Sequence, residues 1–233
     1  RTSLIAASLA SAPELQKNAQ NLVGSSRVKK GKSFLLDLWE PNPVLDFESP
    51  FTRFTFESKI VEVVTAYLEM YPKFSYSSLL LTIPTPEGLL PTKSQRWHRD
   101  PDDKKMCKVF IYLNDVDERA GPFFYALGSQ HGGKWRKLFP QRPPKGIYAP
   151  EGAIERIIPK EDIKMLTGRA GTLIFCDTSG FHKGGYAINK ERLMFTASYV
   201  SRASLWPTSF RYPNNFDAIY PSLDPIARYA LKR

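Results

Sequence analysis

Cysteine appears only twice in this 233-residue chain and histidine three times. No apolar run approaches the roughly 18 residues that a membrane-spanning helix needs. The missing apolar run argues against membrane insertion and for a soluble protein. The scarcity of cysteine excludes a disulfide framework, and a chain this long buries enough apolar surface to fold without one. Cys107 and Cys176 each lie inside an apolar run, where a thiol behaves as a small buried hydrophobe. Both read as free thiols, which places the protein in a reducing compartment, the cytoplasm. Internal repeats and low-complexity tracts are absent too, so one domain accounts for the chain.

Acidic residues are outnumbered, 23 against 33 cations, for a net charge of +10. The cations are spread along the sequence. Their densest clusters, Arg27 to Lys32 and Asp102 to Lys105, are short, and the second is offset by its own acids. They read as solvated surface, and the excess charge only tilts the reading towards an anionic partner. The opening Arg1 to Ala12 has a faint likeness to a transit segment. It lacks a sustained apolar core with cations before it, so an amphipathic first helix is the better expectation.

Residues 1–73 read as mainly helical. Pro13 favours a helix start, and Glu57 to Met70 places Ile60, Val63, Val64, Tyr67 and Leu68 on one stripe before Pro72 ends it. The signal then turns to β. Phe74 to Ile83, Met106 to Asn114, Gly121 to Leu127, Gly171 to Asp177 and Arg192 to Val200 are rich in β-branched and aromatic residues. An α+β domain with a mainly β core over 74–205 follows, as an antiparallel sandwich or barrel. The stretch of about 129–168 carries Gly132-Gly133, Pro143-Pro144 and an amphipathic piece from Glu161 to Leu166, and reads as an insertion of the lid kind. Residues 206–233, with Phe210 and Phe216 to Tyr220, read as a covering segment.

With so few histidines, their contexts carry information. His98 and Asp100 stand two apart in Ser94-Gln-Arg-Trp-His-Arg-Asp-Pro101, so an extended backbone points both to one face and turns Arg99 away. His182 follows the buried-strand run Gly171 to Asp177 after a turn. Two imidazoles and one carboxylate on a triangular face leave coordination positions open, as in non-haem iron(II) oxygenases. Such positions suit a bidentate 2-oxo acid and dioxygen. The far carboxylate of 2-oxoglutarate then needs a cation, and Arg192, opening an apolar strand, supplies a bidentate guanidinium. An H-x-D tripeptide alone arises by chance, and Arg192 alone would serve as a rim salt bridge; the combination is what carries the reading.

Over about Gln95 to Ser201 the sequence resembles the phytanoyl-CoA dioxygenase-like family of iron(II)/2-oxoglutarate oxygenases. The motifs are Gln95-Arg-Trp-His-Arg-Asp100, Val109-Phe-Ile-Tyr-Leu-Asn-Asp-Val116 with Gly121-Pro122, Gly128-Ser-Gln-His131, Gly171-Thr-Leu-Ile-Phe-Cys-Asp177, His182 with its glycines, and Arg192. The resemblance implies a double-stranded β-helix, a cupin-like jelly roll with buttressing N-terminal helices. It implies Fe(II), 2-oxoglutarate and O2 as cofactor and cosubstrates, stimulation by ascorbate, and oxidative decarboxylation to succinate and carbon dioxide coupled to hydroxylation of a substrate C–H bond. Asp100 argues against halogenation, since halogenating relatives have a small residue there. Phe110 falls where the family sets an aromatic ring against the cosubstrate. That placement turns Lys108 and Tyr112 inward too, unless the register is off by one and Lys108 is solvated. Ser198, with Thr196, is a candidate donor to the cosubstrate carboxylate. His131 lies near the family's Gly-Ser-His motif with Gln130 interposed, as a pocket-edge or structural histidine. Trp97 and Trp135 are candidates for substrate contact, against a default of packing.

Three functions compete: a small-molecule hydroxylase, a nucleic-acid or protein hydroxylase or demethylase of the same chemistry, and a non-catalytic cupin-like metal binder. The second lacks a recognition motif and a further arginine in the strand after Arg192. A protein relieved of catalysis has no physical need for the complete ligand set, which weighs against the third.

Overall fold

The computed structural model describes residues 2–25, 27–29, 32–140 and 147–232. Its first helix, α1 (Thr2–Leu22), runs through Pro13 instead of starting there. Ala12, Leu15 and Ala19, three and four apart, are buried against the core, and this stripe holds the helix across the missing N–H. A hairpin hidden within the supposedly helical region follows, β1 (Arg27–Lys29) and β2 (Lys32–Asp37). In α2 (Pro50–Thr55) the cap is Ser49, whose hydroxyl accepts from the Phe51 N–H. α3 (Ser58–Leu68) buries Ile60, Val61, Val64 and Leu68 and stops at Glu69 in the left-handed region (φ 61°). Its buried stripe is turned slightly from the expected one. Tyr67 sits at its edge, where the hydroxyl donates to Asp177 Oδ2 at 2.5 Å.

The expected strands form within a few residues of their sequence limits, and shorter ones appear between them. In order they are β3 (Lys73–Thr82), β4 (His98–Arg99), β5 (Met106–Tyr112), β6 (Phe123–Ala126), β7 (Ile147–Tyr148), β8 (Ile163–Leu166), β9 (Leu173–Cys176), β10 (His182–Gly184) and β11 (Arg192–Val200). They make two antiparallel sheets, β1-β2-β3-β11-β5-β9 and β7-β4-β10-β6-β8. This is the jelly-roll arrangement of a double-stranded β-helix. The central strand β11 pairs Arg192 with Thr82 and Thr196 with both Ser78 and Phe110. Alternation does the rest. Leu193, Phe195, Ala197 and Tyr199 join the main core beneath the helices, while Arg192, Met194 and Thr196 line the space between the sheets.

Two expectations about segments change. The stretch 129–168 does not read as a separate lid in its described parts. Its middle supplies β7 and its C-terminal part β8, the two edge strands of the smaller sheet, with α4 (Ala153–Ile157) between them in sequence. Its Pro143-Pro144 lies outside the described residues. The supposed amphipathic piece Glu161 to Leu166 is mostly β8, because pairing with β6 outweighs a weak helical pattern. At the C-terminus, α5 (Phe216–Ile219) and α6 (Pro225–Leu231) cover the fold, with Phe210, Tyr212, Phe216 and Tyr220 packed on the main core. Cys107 and Cys176 are free and buried. Among the described residues no helix is long and apolar enough to cross a membrane.

Candidate metal centre

β4 and β10 lie side by side, with His98 directly opposite His182. Asp100 follows β4, fixed by its backbone N–H donating to Thr178 O at 2.9 Å. The three side chains converge: one ligand atom from each lies within 4.8 Å of the others. His182 Nε2 is 3.4 Å from Asp100 Oδ2, and His98 Nε2 is 3.8 Å from Oδ1. Each Nδ1 faces a carbonyl, Arg96 O at 2.8 Å for His98 and Gly180 O at 3.0 Å for His182. If each Nδ1 carries the proton, the Nε2 lone pairs are left facing the centre, which is the tautomer a metal requires. Burial, and then the neighbouring His182, pull the His98 pKa down to about 3, so its imidazole is neutral at physiological pH.

Arg99, on the other side of β4, is buried and works as a lock. Its guanidinium donates to the carbonyls of Ser129, Ser179 and Leu138 and lies 4.1 Å above the Phe181 ring. It thereby ties the turn that carries His182 to the segment after β6. Burial lowers its pKa to about 10, which leaves it charged.

Lys108 faces inward, and its partner is protein. Its Nζ is 2.6 Å from Asp100 Oδ2 and 3.5 Å from Asp102 Oδ2. Burial, the largest single influence, raises the Asp100 pKa, but Lys108, His182 and His98 together outweigh it and hold Asp100 well below the carboxylate range. For Asp102 burial wins and the pKa rises. Lys108 therefore neutralises Asp100 and fixes its rotamer.

Arg192 is buried, with no ion pair among the described residues. Its Nη2 donates to Thr82 Oγ1 at 3.2 Å, whereas Nε and Nη1 find no partner. Burial lowers its pKa, opposed by the Tyr112 hydroxyl. A buried cation with unpartnered donors is costly unless an anion arrives. The guanidinium and the triad line one cavity of about 570 Å³. Phe110, Phe123 and Met194 supply apolar wall between them.

The remaining candidates fall elsewhere. Tyr112 is buried beside Arg192, accepting from the Phe123 N–H and donating to Leu166 O, and does not line the cavity. Ser198 is fully buried in register with Lys108, and it is Thr196 that reaches the cavity wall. Trp97 points away, because inward His98 and Asp100 require an outward neighbour; its indole donates to Glu155 Oε1 at 2.6 Å in a separate apolar cluster. Trp135 packs on that same cluster, and His131 is exposed. Neither lines the cavity.

Sequence reasoning missed the wall built by the β1–β2 hairpin. The cluster read as solvated contains Arg27, paired with Glu40 at 2.9 Å, and Lys29, paired with Asp37 at 3.5 Å, but Lys29 lines the cavity and so does Lys32. A bulge in the hairpin, where pairing jumps from Val28↔Leu36 to Lys29↔Lys32, puts it there. No local pattern announces such a bulge. Trp206, from the segment after β11, and Tyr76 on β3 line the cavity as well.

No family model matches the sequence, and no curated protein matches it either. Solved structures do. The epimerase SnoN, in complex with Fe3+, alpha ketoglutarate and nogalamycin RO, superposes with a TM-score of 0.63 at 15% identity, over 85% of this chain and 77% of SnoN. HygX from Streptomyces hygroscopicus, with nickel, 2-oxoglutarate and hygromycin B bound, gives 0.55 at 13% identity, over 83% and 79%. AviO1 from Streptomyces viridochromogenes gives 0.50 at 15%, over 89% and 88%. At such identities the likeness is one of fold, and the fold these chains share with this one is the double-stranded β-helix.

Proposed function

We propose that this protein is a mononuclear iron(II), 2-oxoglutarate-dependent oxygenase acting on a small organic molecule. The observation that carries the proposal is the pairing, in one cavity, of a His-Asp-His triad with a buried arginine that has no anion. Two imidazoles and a carboxylate suit a divalent iron. Arg192 suits the far carboxylate of 2-oxoglutarate. Superposition on SnoN and HygX, each crystallised with a metal and the 2-oxo acid, supports both assignments. The phytanoyl-CoA dioxygenase-like order of motifs along the sequence supports them too.

His98, Asp100 and His182 would hold the iron, which with 2-oxoglutarate and dioxygen supplies the oxidising power for attack on a C–H bond. The protein's own side chains do the positioning. Gly180 O and Arg96 O orient the imidazoles, and Lys108 pairs with Oδ2 of Asp100 and holds its carboxylate in place. Arg192 with Thr82 would fix the cosubstrate, and Phe110 and Phe123 keep water from its carbon chain. Retention of Asp100 favours hydroxylation as the outcome, whereas SnoN is named an epimerase, so the product's mass has to be read.

The test is anaerobic addition of Fe(II) and 2-oxoglutarate, followed by oxygen and ascorbate. The expected results are the visible charge-transfer band of a chelated 2-oxo acid and, with oxygen, succinate. Absence of both from folded protein would remove the proposal and favour a binding protein.

A further inference from the structure

We propose that Lys32 anchors an oxyanion, a carboxylate or phosphate, on the substrate. The inference rests on the functional reading above and deepens it by naming the substrate's chemical class.

The cavity lining brings in four cations, and three are accounted for. Lys108 is held by Asp100 and Asp102, Lys29 faces Asp37 at 3.5 Å, and Arg192 is taken by the cosubstrate's far carboxylate. Lys32 has no ion pair among the described residues. The other acid on that side, Glu40, is engaged by Arg27 at 2.9 Å. A divalent metal and a dianionic cosubstrate cancel one another, so loading the site leaves the surplus charge at Lys32 in place.

The position of Lys32 fits an anchor. It is half-buried in the wall that the β1–β2 hairpin contributes, and its charge is felt at both Asp100 and His98. The acids of the same lining, Asp37, Glu40, Asp100 and Asp102, are each engaged by another cation. Burial, then Lys29, bring the Lys32 pKa down to about 8, with Lys108 and Lys93 acting in the same sense and only Asp100 opposing. An arriving oxyanion would relieve both the desolvation and the crowding of like charges. Apolar surface in the same lining, from Phe34 and Trp206, would receive the rest of the molecule.

The experiment compares benzoate and phenyl phosphate with neutral benzamide, each titrated into protein loaded with Mn(II) and 2-oxoglutarate under nitrogen. Heat of binding gives the affinity, and relaxation of the ring protons by Mn(II) shows that the probe sits near the metal. Both anions are expected to bind at least tenfold more tightly than benzamide. Lys32→Met should remove that preference, and Lys32→Arg should keep most of it. Equal affinity of wild type and Lys32→Met for both anions, or benzamide binding as well as benzoate to wild type, would overturn the assignment. If Mn(II) and 2-oxoglutarate fail to bind, the functional reading has failed, and the same comparison in metal-free protein still decides whether Lys32 is an anion anchor.

Discussion

Arg192→Met should move stability and cosubstrate affinity in opposite directions. In the ligand-free protein the guanidinium is buried, donates once to Thr82, and leaves Nε and Nη1 unpartnered. An unsatisfied buried donor costs about 1–3 kcal/mol, and the Thr82 bond returns about 1 kcal/mol. Methionine keeps most of the stem's packing and removes the charge, so the variant should gain about 1–2 kcal/mol in the absence of ligand. For a chain of this size that raises Tm by roughly 2–4 °C per kcal/mol. Binding pays the opposite sign: losing charge-assisted hydrogen bonds to a carboxylate costs about 1.5–3 kcal/mol, roughly a ten- to 150-fold weaker Kd for 2-oxoglutarate. The assay is thermal unfolding with and without 2-oxoglutarate, alongside anaerobic titration of the Fe(II) protein. In wild type the cosubstrate at 100 times its Kd should add about 2.7 kcal/mol, and at that same concentration the variant should show far less. An unchanged Kd, or a variant less stable than wild type without ligand, would refute the reasoning.

Lys108→Met breaks a buried pair from one side and leaves Asp100 and Asp102 facing each other, which should cost about 3–5 kcal/mol in metal-free protein. A divalent ion replaces part of the lost charge, so saturating Mn(II) should raise Tm more in the variant than in wild type. Trp97→Phe removes the hydrogen bond to Glu155 and part of the packing of its buried cluster, so it should lower stability by about 1–3 kcal/mol and leave KM for 2-oxoglutarate unchanged. A large KM change would put Trp97 back at the site. Gly185→Ala would drive a Cβ to 2.3 Å from Pro122 O, beside the strand that carries His182. Reduced stability and weaker Mn(II) binding together are expected, measured by denaturant unfolding and metal titration.

The segments of β3, β5 and β11 were legible because each has enough residues for composition and alternation to show, whereas the six-residue β2 went unread inside a region taken as helical. Those of β4, β7 and β10 are two or three residues long, too short for any period, and exist because partner strands pull them into a sheet. The His98, Asp100 and His182 cluster was legible from residue type and the two-residue step between His98 and Asp100. That step, taken one position further, would also have turned Trp97 away from the cavity. Alternation through Phe110 correctly turned Lys108 inward, but its acidic partners could not be read from one strand, since Asp100 and Asp102 reach it from a neighbouring segment. Lys32 was hidden by a hairpin bulge, a feature set by pairing and not by local propensity.

The most direct measurement of the central claim is an iron-edge anomalous difference map from crystals soaked anaerobically with Fe(II) and 2-oxoglutarate. The account predicts one peak bonded to Nε2 of His98, Nε2 of His182 and one oxygen of Asp100, with the cosubstrate's far carboxylate against Arg192. A peak elsewhere, or 2-oxoglutarate bound away from Arg192, would contradict it.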